Sequence, residues 1–122
     1  DWLQFGTDPN KKYDVIFIDG LHETTQVDID IQNSLKHLNE GGFILLHDCN
    51  PVSYESQLVP RQATAWNGDV WKSIVKLRCS DVDLDINVVD TDYGVGVIAK
   101  GKNKKYILNL IGPDKFFEKY GK

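Results

Sequence analysis

Two short apolar runs constrain this chain more than any other feature: Tyr13-Asp14-Val15-Ile16-Phe17-Ile18-Asp19-Gly20 and Phe43-Ile44-Leu45-Leu46-His47. Both stay apolar at consecutive positions instead of alternating with polar residues, which predicts strands covered on both faces, as in a parallel sheet. Between them Val27, Ile31, Leu35 and Leu38 recur at spacings of four, four and three and make one apolar stripe on a helix over about 25–38. Thr25 with Asp28 resembles a capping box, and Asn39-Glu40-Gly41-Gly42 supplies the C-terminal stop. Strand, helix and strand within 35 residues form a βαβ unit, whose crossover is right-handed.

The remainder extends this α/β pattern. Residues 48–68 carry Pro51, Pro60 and many Ser, Asn and Gln without periodicity, which predicts a long, ordered, lid-like loop. A helix over 69–78 turns Val70, Ile74 and Leu77 inward. Leu84, Ile86 and Val88 alternate as a strand, Asp90-Thr91-Asp92-Tyr93-Gly94 reverses the chain, and 95–100 returns as the second arm of a hairpin. Beyond a solvated charge run at 100–105, an apolar stretch at 106–111 and the breaker Gly112-Pro113 lead to a short helical turn with Phe116, Phe117 and Tyr120.

At 122 residues the chain is expected to fold as one domain, 1–122. Fourteen basic against 18 acidic residues leave a net charge of −4, which speaks against a partner recognised through its nucleic-acid backbone. No apolar run approaches the roughly 20 residues of a membrane helix, so no membrane partner is expected. Cys49 and Cys79 have neither disulfide-framework nor zinc spacing, which fits a reducing, cytoplasmic setting. The chain contains no Met and begins at Asp1, which we read as an internal cut in something longer, so the lack of a leader carries little weight.

Ligands in open α/β sheets gather beyond the carboxyl ends of the parallel strands. One run ends Asp19-Gly20-Leu21-His22 and the other His47-Asp48-Cys49-Asn50. If the strands are neighbours, about 4.8 Å apart, Asp19 and the His47-Asp48 pair converge on one ion. Carboxylates alone favour Mg²⁺ or Ca²⁺, and a histidine ligand moves the preference toward Mn²⁺, Fe²⁺ or Zn²⁺. The alternative is that Asp19 and Asp48 merely cap turns and that His47 points to the opposite face. His22, on the same loop edge, is placed to act as a base on a substrate hydroxyl. For His37, in the last helical turn, interaction with the helix dipole is role enough. Arg61, Trp66 and Trp71 lie close together and suit a sugar or other polyhydroxylated ligand, although Trp71 in a helix core and Trp66 pinning the loop are equally good readings.

The string from Tyr13 to His22, then a helix, then Leu38-Asn39-Glu40-Gly41-Gly42-Phe43-Ile44-Leu45-Leu46-His47-Asp48, resembles the second half of a class I S-adenosylmethionine-dependent methyltransferase. The likeness covers about 13–100 and is to the branch of metal-dependent small-molecule and sugar O-methyltransferases. It implies the C-terminal half of a Rossmann-like methyltransferase sheet: strands 4, 5, 7 and 6 side by side with helices, and the last strand in the chain antiparallel. It also implies S-adenosylmethionine bordered by Asp19 and Gly20, and Mg²⁺ or Mn²⁺ held by Asp19, His47 and Asp48. His22 would be the catalytic base, and a sugar-like acceptor would contact Arg61, Trp66 and Trp71. His47 stands where characterised metal-dependent members usually keep an acid.

The family's glycine-rich loop and the acidic residue that follows it have no counterpart here. Gly94-Val95-Gly96 lies in a hairpin rather than between strand and helix. The isolated piece is therefore expected neither to bind S-adenosylmethionine tightly nor to turn over. It is also expected to expose strand 13–19 as an apolar edge open to homodimerisation. A non-catalytic interaction domain and a metal-assisted hydrolase built on Asp19, Asp48 and His22 are the alternatives.

Overall fold

A computed structural model describes residues 8–80 and 82–101. The order of elements is β1 (Tyr13–Ile18), α1 (Thr24–Lys36), β2 (Leu38–Leu46), a 3₁₀ turn at Glu55–Gln57, α2 (Trp71–Cys79), β3 (Leu84–Val89) and β4 (Val95–Lys100). The strands form one sheet in the order β1-β2-β4-β3, with β1 parallel to β2 and β4 antiparallel to both of its neighbours. This is the strand 4-5-7-6 arrangement that the resemblance implies. The apolar tail at 106–120 and most of the charge run at 100–105 lie outside the described residues.

The register explains the core. Ile16, Ile44, Ile98 and Ile86 stand side by side across the sheet, and Ile18, Leu46, Gly96 and Val88 form the next row. Val27 and Ile31 of α1 and Ile74 of α2 pack with these rows, joined by Leu38, Cys49 and Val70. Gly96 is a packing requirement: a Cβ there would lie 2.9 Å from Cys49 Sγ and 3.0 Å from Ile74 Cδ1, so the missing side chain makes room for α2 against the sheet.

β1 departs from the expectation of cover on both faces. Ile16 and Ile18 are buried, while Val15 and Phe17 are 58% and 59% exposed. Both helices pack on the face that carries Ile16 and Ile18, so among the described residues the opposite face of β1 has no covering layer. β1 is also an edge of the described sheet.

Two local signals also resolve differently. The first residue of α1 is Thr24, and its N-cap Glu23 makes no side-chain cap bond. Instead the Thr24 N–H donates to Asp69 Oδ1 at 2.8 Å, so the helix start is satisfied from 45 residues away rather than by a local box of Thr25 and Asp28. At the other end the helix stops at Lys36 with His37 as its C-cap. Residues 39–42 then belong to β2, as an irregularity between the pairs Tyr13↔Leu38 and Val15↔Phe43. His37 also ties the entry to β1: its carbonyl accepts from Tyr13 N–H at 2.7 Å and its Nδ1 donates to the Lys11 carbonyl at 2.8 Å.

Candidate active site

Three chain segments meet at the carboxyl edge of the sheet. Asp19 follows the last residue of β1, His47 and Asp48 follow β2, and the turn at 90–94 follows β3, which runs in the same direction as those two strands. The His47 N–H donates to the Ile18 carbonyl (3.1 Å) and so extends the β1–β2 ladder into the site. The turn is clamped onto the same place, since Cys49 N–H donates to Gly94 (3.0 Å) and Asn50 N–H to Tyr93 (2.8 Å).

Asp48 is the centre of the arrangement. It is 3% exposed and sits at φ +62°, a conformation that costs a non-glycine residue about 1–3 kcal/mol and persists where neighbours impose it. Its Oδ1 accepts from Asn67 Nδ2 at 2.7 Å. Its Oδ2 lies 3.0 Å from His47 Nδ1 and 3.0 Å from His22 Nε2. These contacts engage both oxygens of the buried side chain.

The two histidines are held differently. His22 Nδ1 lies 3.1 Å from the Trp66 carbonyl, which can only accept, so Nδ1 carries hydrogen. In the neutral ring the lone pair is then on Nε2, aimed at Asp48 and, at 3.4 Å, at Asp19 Oδ1. A lone pair facing two carboxylates is repulsive until a proton or a metal ion lies between them. Single donor atoms of Asp19, His22 and Asp48 all fall within 4.8 Å of one another, which is the spacing of a cation site. A histidine whose second nitrogen donates to a backbone carbonyl is the usual arrangement of a metal-facing imidazole.

His47 has both nitrogens engaged: Nδ1 with Asp48, and Nε2 with Asp92 Oδ2 at 3.0 Å. Burial alone would lower its pKa. The Asp48 charge, the hydrogen bonds to Asp48 and Asp92, and the charge of Asp19 outweigh that effect and raise it above the ordinary imidazole value.

A cleft of about 420 Å³ opens over these groups, lined by Asp19, His22, His47, Asp48, Ala65, Trp66, Asn67 and Tyr93. Trp66 stacks at a tilt on His22, with centroids 5.3 Å apart, and Tyr93 meets His47 edge-on at 6.4 Å. A second groove, of about 470 Å³, runs between β1 and α1 past Phe17, Gly20, Leu21 and Gln26. Asp19 borders both spaces, and Gly20 borders only the groove.

Residues 48–68 form a wall rather than a loose strap. Trp66 Nε1 donates to Leu58 O (2.7 Å), and the N–H groups of Asn67 and Gly68 both donate to Ser56 O (2.9 and 3.1 Å). Of the three residues expected to meet an acceptor, only Trp66 lines the cleft. Arg61 folds back on its own loop, donating to the carbonyls of Ala63 and Thr64 with its guanidinium 5.9 Å from the Trp66 ring. Trp71 packs against the core and donates from Nε1 to Gln57 Oε1 at 3.2 Å.

Asn67, Asp92 and Tyr93 escape the sequence reading. Asp92 and Tyr93 lie in a turn legible only as a chain reversal. A usable signal was present, because a turn that follows a strand parallel to β1 and β2 lies at the same sheet edge as Asp19 and Asp48.

Among the described residues, no helix is long and apolar enough to cross a membrane. Comparison with curated proteins found no match. A family model described as a methyltransferase domain matches residues 1–49, which take in β1, α1, β2, Asp19, His22 and Asp48. The match covers 49 of the 122 residues, and the β1-β2-β4-β3 strand order is compatible with part of a Rossmann-like methyltransferase sheet.

Proposed function

We propose that this chain is the metal-binding and acceptor-binding half of an S-adenosylmethionine-dependent O-methyltransferase acting on a sugar or other polyhydroxylated small molecule. The observation that carries the reading is the convergence of Asp19, Asp48 and His22 Nε2 within 4.8 Å at the floor of an aromatic-walled cleft. The carboxylate oxygens of Asp19 and of Asp48, the latter buried and already oriented by Asn67, fit Mg²⁺ or Mn²⁺. A divalent ion there would supply Lewis-acid polarisation of the acceptor hydroxyl, and S-adenosylmethionine would supply the methyl group.

The residues of the chain do the rest. Asp19 and Asp48 would hold the ion and so bring the acceptor hydroxyl to the cleft floor. His22 Nε2, whose lone pair faces the site because Nδ1 donates to the Trp66 carbonyl, would receive the hydroxyl proton. Trp66 and Tyr93 offer flat faces to the carbon skeleton of the acceptor and keep water from the reacting oxygen. Asp19 borders both the cleft and the β1–α1 groove, so acceptor and methyl donor would meet across it.

The test uses the intact protein with labelled S-adenosylmethionine, a panel of sugars, and Mg²⁺ or Mn²⁺ present or chelated. Metal-dependent label transfer is expected. Asp48→Asn should lose both metal binding and transfer, and His22→Ala should lose transfer while still binding metal. Transfer that survives chelation, or that is unchanged in Asp48→Asn, contradicts the reading.

A further inference from the structure

Between Asp19 and α1 the chain passes through His22 and Glu23 to Thr24, and this short segment carries the base to the edge of the cleft. Its own side chains do little to fix it, since Glu23 makes no cap bond to the start of α1. The end of the loop, 66–69, holds it instead. The Trp66 carbonyl lies 3.1 Å from His22 Nδ1, the Asp69 N–H donates to the His22 carbonyl at 3.2 Å, and Asp69 Oδ1 accepts from Thr24 N–H at 2.8 Å. The ring donates from Nδ1 whether or not Nε2 carries hydrogen, so this clamp does not depend on the charge of His22. Gly68 permits the close approach, because a Cβ there would overlap the His22 carbonyl.

Asp69 is the residue whose side chain joins the two segments. It is 7% exposed, with Oδ1 on Thr24 and Oδ2 3.2 Å from Lys72 Nζ in the first turn of α2. A helix start is ordinarily capped by a Ser, Thr, Asp or Asn at the N-cap itself. A cap supplied from 45 residues away does more, because it also fixes where the 22–24 segment lies against the loop.

We infer that Asp69 is a positioning residue for the base: acting through Thr24, it holds the 22–24 segment so that His22 Nε2 faces the cleft floor, 3.0 Å from Asp48 Oδ2. The inference rests on the methyl-transfer reading proposed above, in which His22 takes the hydroxyl proton. It adds that the base is aimed by the end of the loop, separately from the carboxylates that would hold the ion.

The experiment uses the intact protein and cuts the Asp69–Thr24 bond from either side. Asp69→Ala removes the acceptor, and Asp69→Asn keeps an acceptor oxygen. Thr24→Pro removes the N–H at the first helical position, where proline fits, and after Glu23, whose φ of −124° and ψ of 129° are the extended backbone that proline requires of its predecessor. Thr24→Ala is its control, since it also loses the hydroxyl contacts to Ser73 and Lys76 but keeps the N–H. Methyl transfer from labelled S-adenosylmethionine to a panel of free hexoses gives kcat and KM. Electron paramagnetic resonance gives Mn²⁺ affinity, and backbone amide relaxation gives the order parameter of His22. A misplacement of about 1 Å at a reacting group costs up to roughly 100-fold in rate, so Asp69→Ala and Thr24→Pro are expected to lose roughly 10- to 100-fold in kcat. Both should keep the wild-type KM for the sugar and the wild-type Mn²⁺ affinity, because Asp19 and Asp48 are untouched. The His22 order parameter should fall from roughly 0.85 to below about 0.6. Asp69→Asn and Thr24→Ala should retain most of the wild-type kcat. Wild-type kcat in both Asp69→Ala and Thr24→Pro overturns the inference. So does a loss of Mn²⁺ affinity or a rise in KM as large as the loss in kcat, which marks a general loosening of the fold, and so does an Asp69→Asn variant as slow as Asp69→Ala. If the wild-type protein transfers no methyl group to any hexose, the methyl-transfer reading falls. A drop in the order parameter in the two variants would then still show that Asp69 holds His22, and an unchanged one would remove that as well.

Discussion

Gly68→Ala is the substitution that most sharply tests how the loop and the site are joined. Gly68 sits at φ +65° with its Cα pressed on the turn that carries His22, and a Cβ there would lie 1.7 Å from the His22 carbonyl oxygen and 2.6 Å from its Cβ. Even to reach 3.0 Å the two backbones must separate by 1.3 Å, and neither contact is the end of a flexible side chain. That movement breaks the Asp69 N–H bond to His22 O (3.2 Å) and strains the Asp69 carboxylate that caps Thr24 (2.8 Å). The left-handed backbone costs alanine about 1 kcal/mol, and each lost hydrogen bond about another 1 kcal/mol. The expected loss is therefore roughly 2–4 kcal/mol, a large share of a typical domain stability of about 5–15 kcal/mol. Gly41→Ala is the control, since it has φ +81° but nothing within 4 Å of the added Cβ, and should cost only the backbone term of about 1 kcal/mol. Urea denaturation of both variants beside the wild type measures the difference. Equal losses at the two positions would refute the close approach of Gly68 to His22. In Gly68→Ala the displaced His22 should also slow methyl transfer, which Gly41→Ala should leave alone.

Two further outcomes follow from the charges and thiols. The folded-state pKa of His47 is raised, so its stabilising contribution is complete below the unfolded value of about 6.5 and is lost as pH rises through the higher folded value. Melting temperature of the metal-free protein should therefore fall across that window, and the fall should shrink in Asp92→Asn; a fall unchanged in that variant would show that Asp92 does not hold the proton. Burial pushes the Cys49 thiol far up, whereas Cys79 is exposed, so iodoacetamide on the native protein should modify Cys79 and spare Cys49 until it unfolds. Mass spectrometry showing equal labelling of the two would contradict the burial of Cys49 beneath Gly96.

What was legible in the sequence was whatever depends on neighbours along the chain. The runs at 13–18 and 43–46, the stripe Val27–Ile31, and the alternation Leu84–Ile86–Val88 all appear where the pattern puts them, because period and β-branching directly encode strand and helix. The convergence of Asp19 with Asp48 follows from two parallel neighbouring strands. What escaped depends on pairs far apart in sequence. No local signal says that Asp69 caps Thr24, that Asn67 holds Asp48, or that Asp92 meets His47. Trp66 and Trp71 have the same composition signal and opposite fates, one lining the cleft and the other anchored to the core, because only the fold of the loop separates them. The one-sided burial of β1 was equally hidden, since a continuous apolar run records what a strand tolerates rather than what covers it.

The proposed divalent-metal site lies beneath the cleft, with Asp19 and Asp48 as its carboxylate ligands and His22 beside it as the base. Anomalous diffraction at the manganese edge from crystals grown with Mn²⁺ addresses it most directly. The account predicts a single strong anomalous peak between Asp19 Oδ1 and Asp48 Oδ2, facing His22, and its disappearance in Asp48→Asn. No peak at that position, or a peak elsewhere that survives Asp48→Asn, would contradict it.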